Sequence, residues 1–216
     1  ISSDPDRVRA ALALANEAIL ENENGKMVVK GEATDRAKMQ AFLDKGFELK
    51  KILEMFPRIN FLPFDSSRKF IASFHRAQDR QGEITRMFVS GAPEIILERS
   101  GDFPEKEQVR ADFEELAQKG FRVIAAAEEM LPRRSQDIAE KSEEELAGLV
   151  SRLTFLGLAV IRDPIRENVK EVASEVRKAG IRVIMVTGDH KLTALTVGEE
   201  LGFKTGPWNV MEGSEV

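Results

Sequence analysis

The first sixty residues carry apolar positions at helical spacing. Asp4 and Pro5 predict the start of a helix, because they supply an N-cap and a proline at the first helical position. The apolar face of this helix is marked by Val8, Leu12, Ala15 and Ile19. After a short predicted strand at 27–29, Thr34 or Asp35 caps a second helix. A third helix follows, with apolar positions at Leu49, Ile52, Leu53 and Phe56.

Beyond the third helix the pattern changes to the alternation of strands. Residues 61–64 predict an edge strand or an irregular approach to the sheet, because Pro63 cannot donate a hydrogen bond to a sheet ladder. Segments 69–76 and 84–89 flank a polar loop that Gly82 closes, and they predict an antiparallel hairpin. The next predicted elements are a helix from Pro93, a helix around Val109, a strand at 121–127, a short helix opened by the capping box Ser142-x-x-Glu145, and a strand at 153–161.

The last part of the chain alternates predicted helix and buried strand. Asp163 and Pro164 match the start of a helix. Residues 181–186 form an unbroken apolar run, which is typical of a strand buried on both faces of a parallel sheet. The run ends at Thr187-Gly188-Asp189, where Asp189 predicts another N-cap. Free N–H groups at such a turn attract phosphate, although on composition alone a purely structural turn is the favoured interpretation.

Composition narrows the class of protein. A chain of 216 residues with 42% hydrophobic and 32% charged residues is typical of a soluble globular protein with one large domain or two. The net charge of −5 argues against a general nucleic-acid binder. We find no apolar run long enough to cross a bilayer and no signal peptide. The absence of cysteine excludes disulfides and thiolate chemistry.

Several common catalytic motifs are missing from the sequence. It contains no GxxxxGK[ST] phosphate loop, no GxGxxG fingerprint and no GxSxG nucleophile turn. The two histidines, His75 and His190, lie far apart without the spacing of metal ligands, so no metal site is predicted. Spacing alone therefore leads only to a phosphate site at the turn 187–189.

Five stretches taken in order form a more specific pattern. They are Gly31-Glu32-Ala33-Thr34, Pro63-Phe64-Asp65-Ser66-Ser67-Arg68-Lys69, Met87-Phe88-Val89-Ser90-Gly91-Ala92-Pro93-Glu94, Asp163-Pro164-Ile165-Arg166 and the segment 179–189, AGIRVIMVTGD. Together they resemble the cytoplasmic loop of P-type cation-transporting ATPases, and most of all the type II pumps of the calcium and sodium-potassium kind. We expect a bacterial or archaeal member of the calcium type. The resemblance runs across nearly the whole chain, and the last two stretches are its most specific signals.

The resemblance implies an α+β nucleotide-binding (N) domain at 1–162, with an antiparallel sheet flanked by helices, whose last strand is 153–161. Residues 163–216 would be an incomplete phosphorylation (P) domain of the haloacid-dehalogenase-like, Rossmannoid α/β class. The family phosphorylates an aspartate in Asp-Lys-Thr-Gly-Thr and holds magnesium with Gly-Asp-Gly-x-Asn-Asp, and neither motif is present. We therefore expect an excised segment that binds ATP without completing phosphoryl transfer.

The implied partners are ATP and the rest of the parent pump, namely the actuator domain, the remaining P domain and the transmembrane helices. The parent protein would use Mg²⁺ and would place this segment on the cytoplasmic face of the cell membrane. The segment itself is expected to be soluble, to bind no nucleic acid and to hold no metal. Its isolated chain is expected to lack catalytic activity.

The resemblance also implies a nucleotide site residue by residue. Its members are Glu32, Phe64, Ser66, Arg68, Ser90, Gly91 and Arg122. Phe64 matches the aromatic residue that stacks on adenine, and Glu32 matches an acid that accepts a hydrogen bond from the adenine amino group. Arg122 matches an arginine near the polyphosphate. Without the motifs, Phe64 would be read as a core residue and the two charged residues as solvated surface groups.

On the P-domain side, Thr187, Gly188 and Asp189 match the turn that holds the transferred phosphoryl group. Asp163, Pro164 and Arg166 match the hinge between the domains. Because the family's central strand is missing from this sequence, the predicted strand at 181–186 would have an unpaired edge.

Two departures from the family pattern concern charge. Ser90 stands where the family has lysine in Lys-Gly-Ala-Pro-Glu, and Ser66 stands where calcium pumps often carry arginine. Loss of one charge-assisted contact costs roughly 1.5–3 kcal/mol, so the sequence predicts weak ATP binding.

Two other functions stay open at this point. A haloacid-dehalogenase-family phosphatase shares the Thr-Gly-Asp turn but needs an Asp-x-Asp motif after a strand, and none is visible. A non-catalytic nucleotide-binding module is the other alternative.

Overall fold

A computed structural model describes residues 4–131, 137–162, 165–188, 191–204, 206 and 209–211. The chain divides into two compact units. The first contains Ile1–Phe113 and Val123–Ile161, and the second contains Glu114–Arg122 and Arg162–Val216. The assignment of 1–162 and 163–216 to two functional domains stays a prediction.

The described residues up to 161 alternate helices with antiparallel strands. The strands are β1 (Ile19–Glu23), β2 (Lys26–Lys30), β3 (Arg58–Leu62), β4 (Phe70–Asp79), β5 (Gly82–Gly91), β6 (Arg122–Leu131) and β7 (Thr154–Ile161). The helices are α1 (Pro5–Leu14), α2 (Ala33–Leu43), α3 (Leu49–Met55), α4 (Pro93–Arg99), α5 (Lys106–Gln118) and α6 (Glu143–Leu149), with a 3₁₀ turn at Ile138–Glu140. The predicted α+β class with an antiparallel sheet is confirmed.

The main sheet has five strands in chain order, β3-β4-β5-β6-β7, while β1 and β2 form a separate hairpin. Strand β4 runs antiparallel to both β3 and β5, and β5 runs antiparallel to β6. Leu62 pairs with Ala72, Phe70 with Gly91, and Gly91 with Ala125. The end of β3, the start of β4 and the end of β5 therefore lie at one end of the sheet.

Helices flank the sheet on both faces. Helix α1 covers one face, in a core formed by Val8, Ala11, Leu12, Leu14, Ala15, Ile71, Phe88 and Ala126. Phe70 points to the opposite face because it alternates with Ile71. There the guanidinium of Arg99, in α4, lies 5.1 Å from the centroid of the Phe70 ring. A second small core of Ala13, Met39 and Phe42 joins α1 and α2 to the β1–β2 hairpin.

The first helix is shorter than predicted. It ends at Leu14, and Ile19 belongs to β1 instead of the helix face. Asn16 explains the stop, because its side chain supplies two local hydrogen bonds that compete with the helix. Its amide donates to the Leu12 carbonyl oxygen at 3.2 Å, and its oxygen accepts from the Ala18 N–H at 2.6 Å.

The second unit contains α7 (Val169–Lys178) and α8 (Lys191–Glu200). Arg177 ties the two helices together by donating to the carbonyl oxygens of Leu201 at 2.9 Å and Gly202 at 2.6 Å. Helix α7 begins later than predicted, with Asn168 as N-cap at φ 68°. The proposed cap at Asp163 and Pro164 lies outside the described residues. None of the described helices is long and apolar enough to cross a bilayer.

The strand predicted at 181–186 is wrong. These residues have no regular secondary structure, and the side chains of Ile184 and Val186 are 68% and 91% exposed. A strand needs hydrogen-bonded neighbours, and no sheet in the described part of the chain includes this run. The haloacid-dehalogenase-like assignment of the second unit stays a prediction.

Candidate functional site

Phe64 lies on a tight turn that follows β3, and its side chain is 55% exposed. The carboxylate of Asp65 fixes this turn by accepting three hydrogen bonds. The donors are the Ser67 N–H at 2.9 Å, the Arg68 N–H at 3.1 Å and the Ser67 hydroxyl. These hydrogen bonds, led by that of the Ser67 hydroxyl, lower the pKa of Asp65. Lys69 completes the turn with a left-handed φ of 59°. The exposed ring is thus carried on a turn held by its own hydrogen bonds.

The charged residues of the same turn pair with neighbouring acids. The guanidinium of Arg68 lies 3.1 Å from a carboxylate oxygen of Glu143, and the ammonium of Lys69 lies 3.4 Å from Glu94. Ser66 is exposed. The role of Ser66 and Arg68 in nucleotide binding stays a prediction.

Glu32 is exposed and occupies the N-cap position of α2. The prediction that Thr34 or Asp35 caps this helix is wrong, because α2 begins earlier, at Ala33. The Asp35 carboxylate instead lies 2.6 Å from the Lys38 ammonium. Glu32 makes no side-chain cap hydrogen bond, so its carboxylate is not engaged by the helix it precedes.

Ser90 is only 1% exposed, which separates it from the exposed members of the predicted site. Its hydroxyl donates to the Ala15 carbonyl oxygen at 2.9 Å and accepts from the Lys38 ammonium at 3.1 Å. The next residue, Gly91, lies against the start of β4, where a Cβ atom would be 2.5 Å from the Lys69 carbonyl oxygen. A direct contact between Ser90 and a ligand is therefore not supported by its burial.

Lys38 is a buried charged residue beside Ser90 that the sequence reasoning missed. Burial lowers the pKa of Lys38, and the charge of Asp35 opposes that shift. The available signal was a lysine on the face of α2 that also carries Met39 and Phe42, three residues after an aspartate. Such an i,i+3 pair on an apolar face indicates a buried charge with a partner.

The sheet register brings part of the predicted site together. The Phe64 turn, Ser90 and Gly91 lie at one end of the sheet, and the contact between Lys38 and Ser90 brings α2 to the same end. The exposed ring of Phe64 suits a flat heterocycle, and the exposed Glu32 carboxylate can accept a hydrogen bond from an amino group. Arg122, the first residue of β6, is exposed and belongs to the second compact unit.

The remaining predicted residues also belong to the second unit. Thr187, Gly188 and Arg166 are exposed. Asp163, Pro164 and Asp189 lie outside the described residues. The described residues contain no group of three or more histidine, aspartate or glutamate side chains that could hold a metal ion.

Comparison with known proteins identifies the family. Residues 6–168 match the model for P-type ATPase, cytoplasmic domain N. The chain is 30% identical over 212 residues to a calcium-transporting ATPase of Bacillus subtilis, covering 93% of this chain and 23% of that protein. It is 31% identical over 218 residues to calcium-transporting ATPase 1 of Lactococcus lactis, covering 95% of this chain and 23% of that protein.

A third relative comes from an animal. The chain is 31% identical over 189 residues to sodium/potassium-transporting ATPase subunit alpha-4 of Rattus norvegicus, covering 82% of this chain and 18% of that protein. The chain thus spans between 18% and 23% of the length of these three relatives. The match to the domain model covers most of the chain. The chain therefore belongs to the P-type ATPase family, and its residues 6–168 match the cytoplasmic N domain of that family.

Proposed function

We propose that this chain is the ATP-binding part of an ATP-driven cation pump of the calcium type, on the cytoplasmic face of a membrane. The family match and the calcium-transporting relatives from two bacteria support this proposal. The observation that carries it is the half-exposed ring of Phe64 on the turn fixed by Asp65. In the parent pump, the actuator domain, the remaining P domain and the transmembrane helices are its partners.

In this proposal adenine stacks on Phe64. A ring face accepts a flat heterocycle and removes apolar surface from water. The carboxylate of Glu32 accepts a hydrogen bond from the exocyclic amino group, which makes the site selective for adenine. Gly91 contributes by its lack of a side chain, since the turn that carries Phe64 rejoins the sheet against it. Arg122 is assigned to the polyphosphate, to which a guanidinium donates charge-assisted hydrogen bonds.

Phosphoryl transfer is assigned to the parent protein. There Thr187, Gly188 and Asp189 hold the transferred group, and the hinge comprises Asp163, Pro164 and Arg166. Magnesium would neutralise phosphate charge in the intact pump. Since the described residues contain no cluster that fits a metal, we derive no step through it. Without the Asp-Lys-Thr-Gly-Thr motif, the chain by itself binds ATP and does not hydrolyse it.

The proposal is tested by replacing the aromatic platform. Stacking of a base on an aromatic side chain contributes about 1–3 kcal/mol, so Phe64→Ala should weaken ATP binding roughly 5- to 150-fold in isothermal titration calorimetry. The matched control is Met55→Ala, which removes a 68% exposed apolar side chain from α3 and should leave the affinity unchanged. Equal ATP affinities for the wild-type chain and Phe64→Ala would refute adenine stacking at this residue.

A further inference from the structure

One lysine ammonium is buried among three elements of the first unit. The side chain of Lys38 is 4% exposed, and its Nζ atom lies 2.6 Å from Oδ1 of Asp35. It also donates to the Ala15 carbonyl oxygen at 3.0 Å and to the Ser90 hydroxyl oxygen at 3.1 Å. An ammonium has three N–H donors, and these contacts use all of them. Lys38 therefore acts on its neighbours and does not reach a ligand itself.

Packing alone does not account for a charge at this position. Lys38 lies on the buried face of α2 together with Met39 and Phe42. Apolar residues at both positions 35 and 38 would fill this space without removing two charges from water, and replacing a whole buried ion pair in this way is often neutral or stabilising. The pair instead joins α2 to the end of α1 and to β5 through the Lys38 ammonium.

The three contacts join the two parts of the proposed nucleotide site. On one side, Asp35 lies one turn after Glu32, the N-cap of α2. On the other side, Ser90 precedes Gly91, where β5 ends against the turn that carries Phe64. The distance between the carboxylate and the ring thus depends on how α2 is held against the end of β5.

We propose that Lys38 is a positioning residue of the nucleotide site, whose ammonium fixes the first turn of α2, and Glu32 with it, against the end of β5. The inference rests on the proposed ATP binding. It also gives Ser90 a role, because its small hydroxyl leaves room for the Lys38 ammonium and accepts a hydrogen bond from it at 3.1 Å. The weak ATP binding expected from Ser66 and Ser90 stays a prediction, and the proposal adds a dependence of adenine selectivity on Lys38.

The experiment compares ATP with inosine triphosphate (ITP), which has a carbonyl where adenine has the amino group. Calorimetry on the full chain gives both affinities. The wild-type chain should prefer ATP, and Lys38→Met should lower that preference about tenfold, since a misplaced Glu32 loses one charge-assisted hydrogen bond. Stacking on Phe64 serves both nucleotides equally, so ITP affinity should change little. Adding Ser90→Lys to Lys38→Met returns an ammonium from the strand and should restore part of the preference.

A packing control separates positioning from stability. Met39→Ala removes a buried side chain beside Lys38 and keeps the ammonium, so it should lower the melting temperature without changing the ATP-to-ITP ratio. A lower melting temperature with an unchanged ratio in Lys38→Met would overturn the proposal, because Lys38 would then only stabilise the fold. If Lys38→Met does not fold, Ser90→Ala removes one acceptor of the ammonium and should lower the ratio by a smaller factor.

Two further outcomes distinguish this inference from the proposed function. A wild-type chain that binds ATP without preference over ITP would overturn the positioning role and leave the proposed function in place. A wild-type chain that binds neither nucleotide would refute the proposed function, and the positioning role with it.

Discussion

His75 is a buried imidazole on β4, between β3 and β5, with no exposed surface. Its Nδ1 lies 2.7 Å from the Phe56 carbonyl oxygen and its Nε2 lies 2.9 Å from the Ser73 hydroxyl. A neutral ring with its proton on Nδ1 satisfies both partners. Burial lowers the pKa of His75 to about 4, and the charge of Arg58 adds to this effect while the Phe56 carbonyl opposes it.

This environment predicts a pH-dependent stability. Below about pH 6.5 the unfolded chain protonates His75 while the folded chain does not, so the free energy of unfolding falls as the pH drops. The stabilisation of the folded state that comes from the low pKa of His75 is fully present above pH 6.5 and is lost as the pH falls to about 4. For a pKa shift of this size it amounts to about 3 kcal/mol. In urea unfolding across this pH range, the free energy of unfolding should fall less steeply with decreasing pH for His75→Gln than for the wild-type chain. Identical declines would contradict a buried neutral imidazole.

At the residue scale, the sequence led to Phe64 and Glu32 but not to Lys38. The first two belong to short motifs whose order along the chain is specific. Lys38 interacts with Ser90, 52 positions away, and with Ala15, 23 positions away. Such contacts depend on how helices pack on the sheet, which periodicity in one segment does not determine.

At the element scale, Gly91 sets how closely β5 approaches the start of β4. A Cβ atom there would lie 2.5 Å from the Lys69 carbonyl oxygen and 2.6 Å from the Phe70 Cβ. Gly91→Ala must therefore move backbone and should destabilise the fold by about 1–3 kcal/mol. Gly148, in α6, has no atom within 4 Å of such a Cβ, and Gly148→Ala should stabilise by about 0.5–1 kcal/mol. Urea unfolding of both variants checks the contrast, and equal shifts would contradict the close approach at Gly91.

The elements that were predicted correctly carry local signals of their own. The β4–β5 hairpin follows from alternation around Gly82, and α6 has Ser142 as its N-cap with the capping box that its sequence predicts. Strand β1 was missed because Ile19 continues the helical spacing of α1, and only the Asn16 hydrogen bonds reveal the stop. Local periodicity thus identifies an element more reliably than it places the end of that element.

At the scale of the whole molecule, the two units differ in how far the sequence specifies them. The first unit completes a five-stranded sheet within the described residues, so its antiparallel class was predictable. The apolar run 181–186 has strand composition but no strand partner in the described part of the chain. The amino-acid composition of a segment indicates whether its side chains can be buried in a sheet. Whether the segment forms a strand depends also on neighbouring strands with which its backbone can pair.

The central claim is that the first unit binds a nucleoside triphosphate at the sheet end that carries Phe64. The most direct measurement is a titration of the ¹⁵N-labelled chain with ATP, followed through its amide signals, with inorganic phosphate as the control. The account predicts saturable shifts at residues 64–69 and at Glu32 with ATP, and none at these positions with phosphate alone. No saturable shift at the Phe64 turn, or the same shifts with phosphate alone, would contradict it.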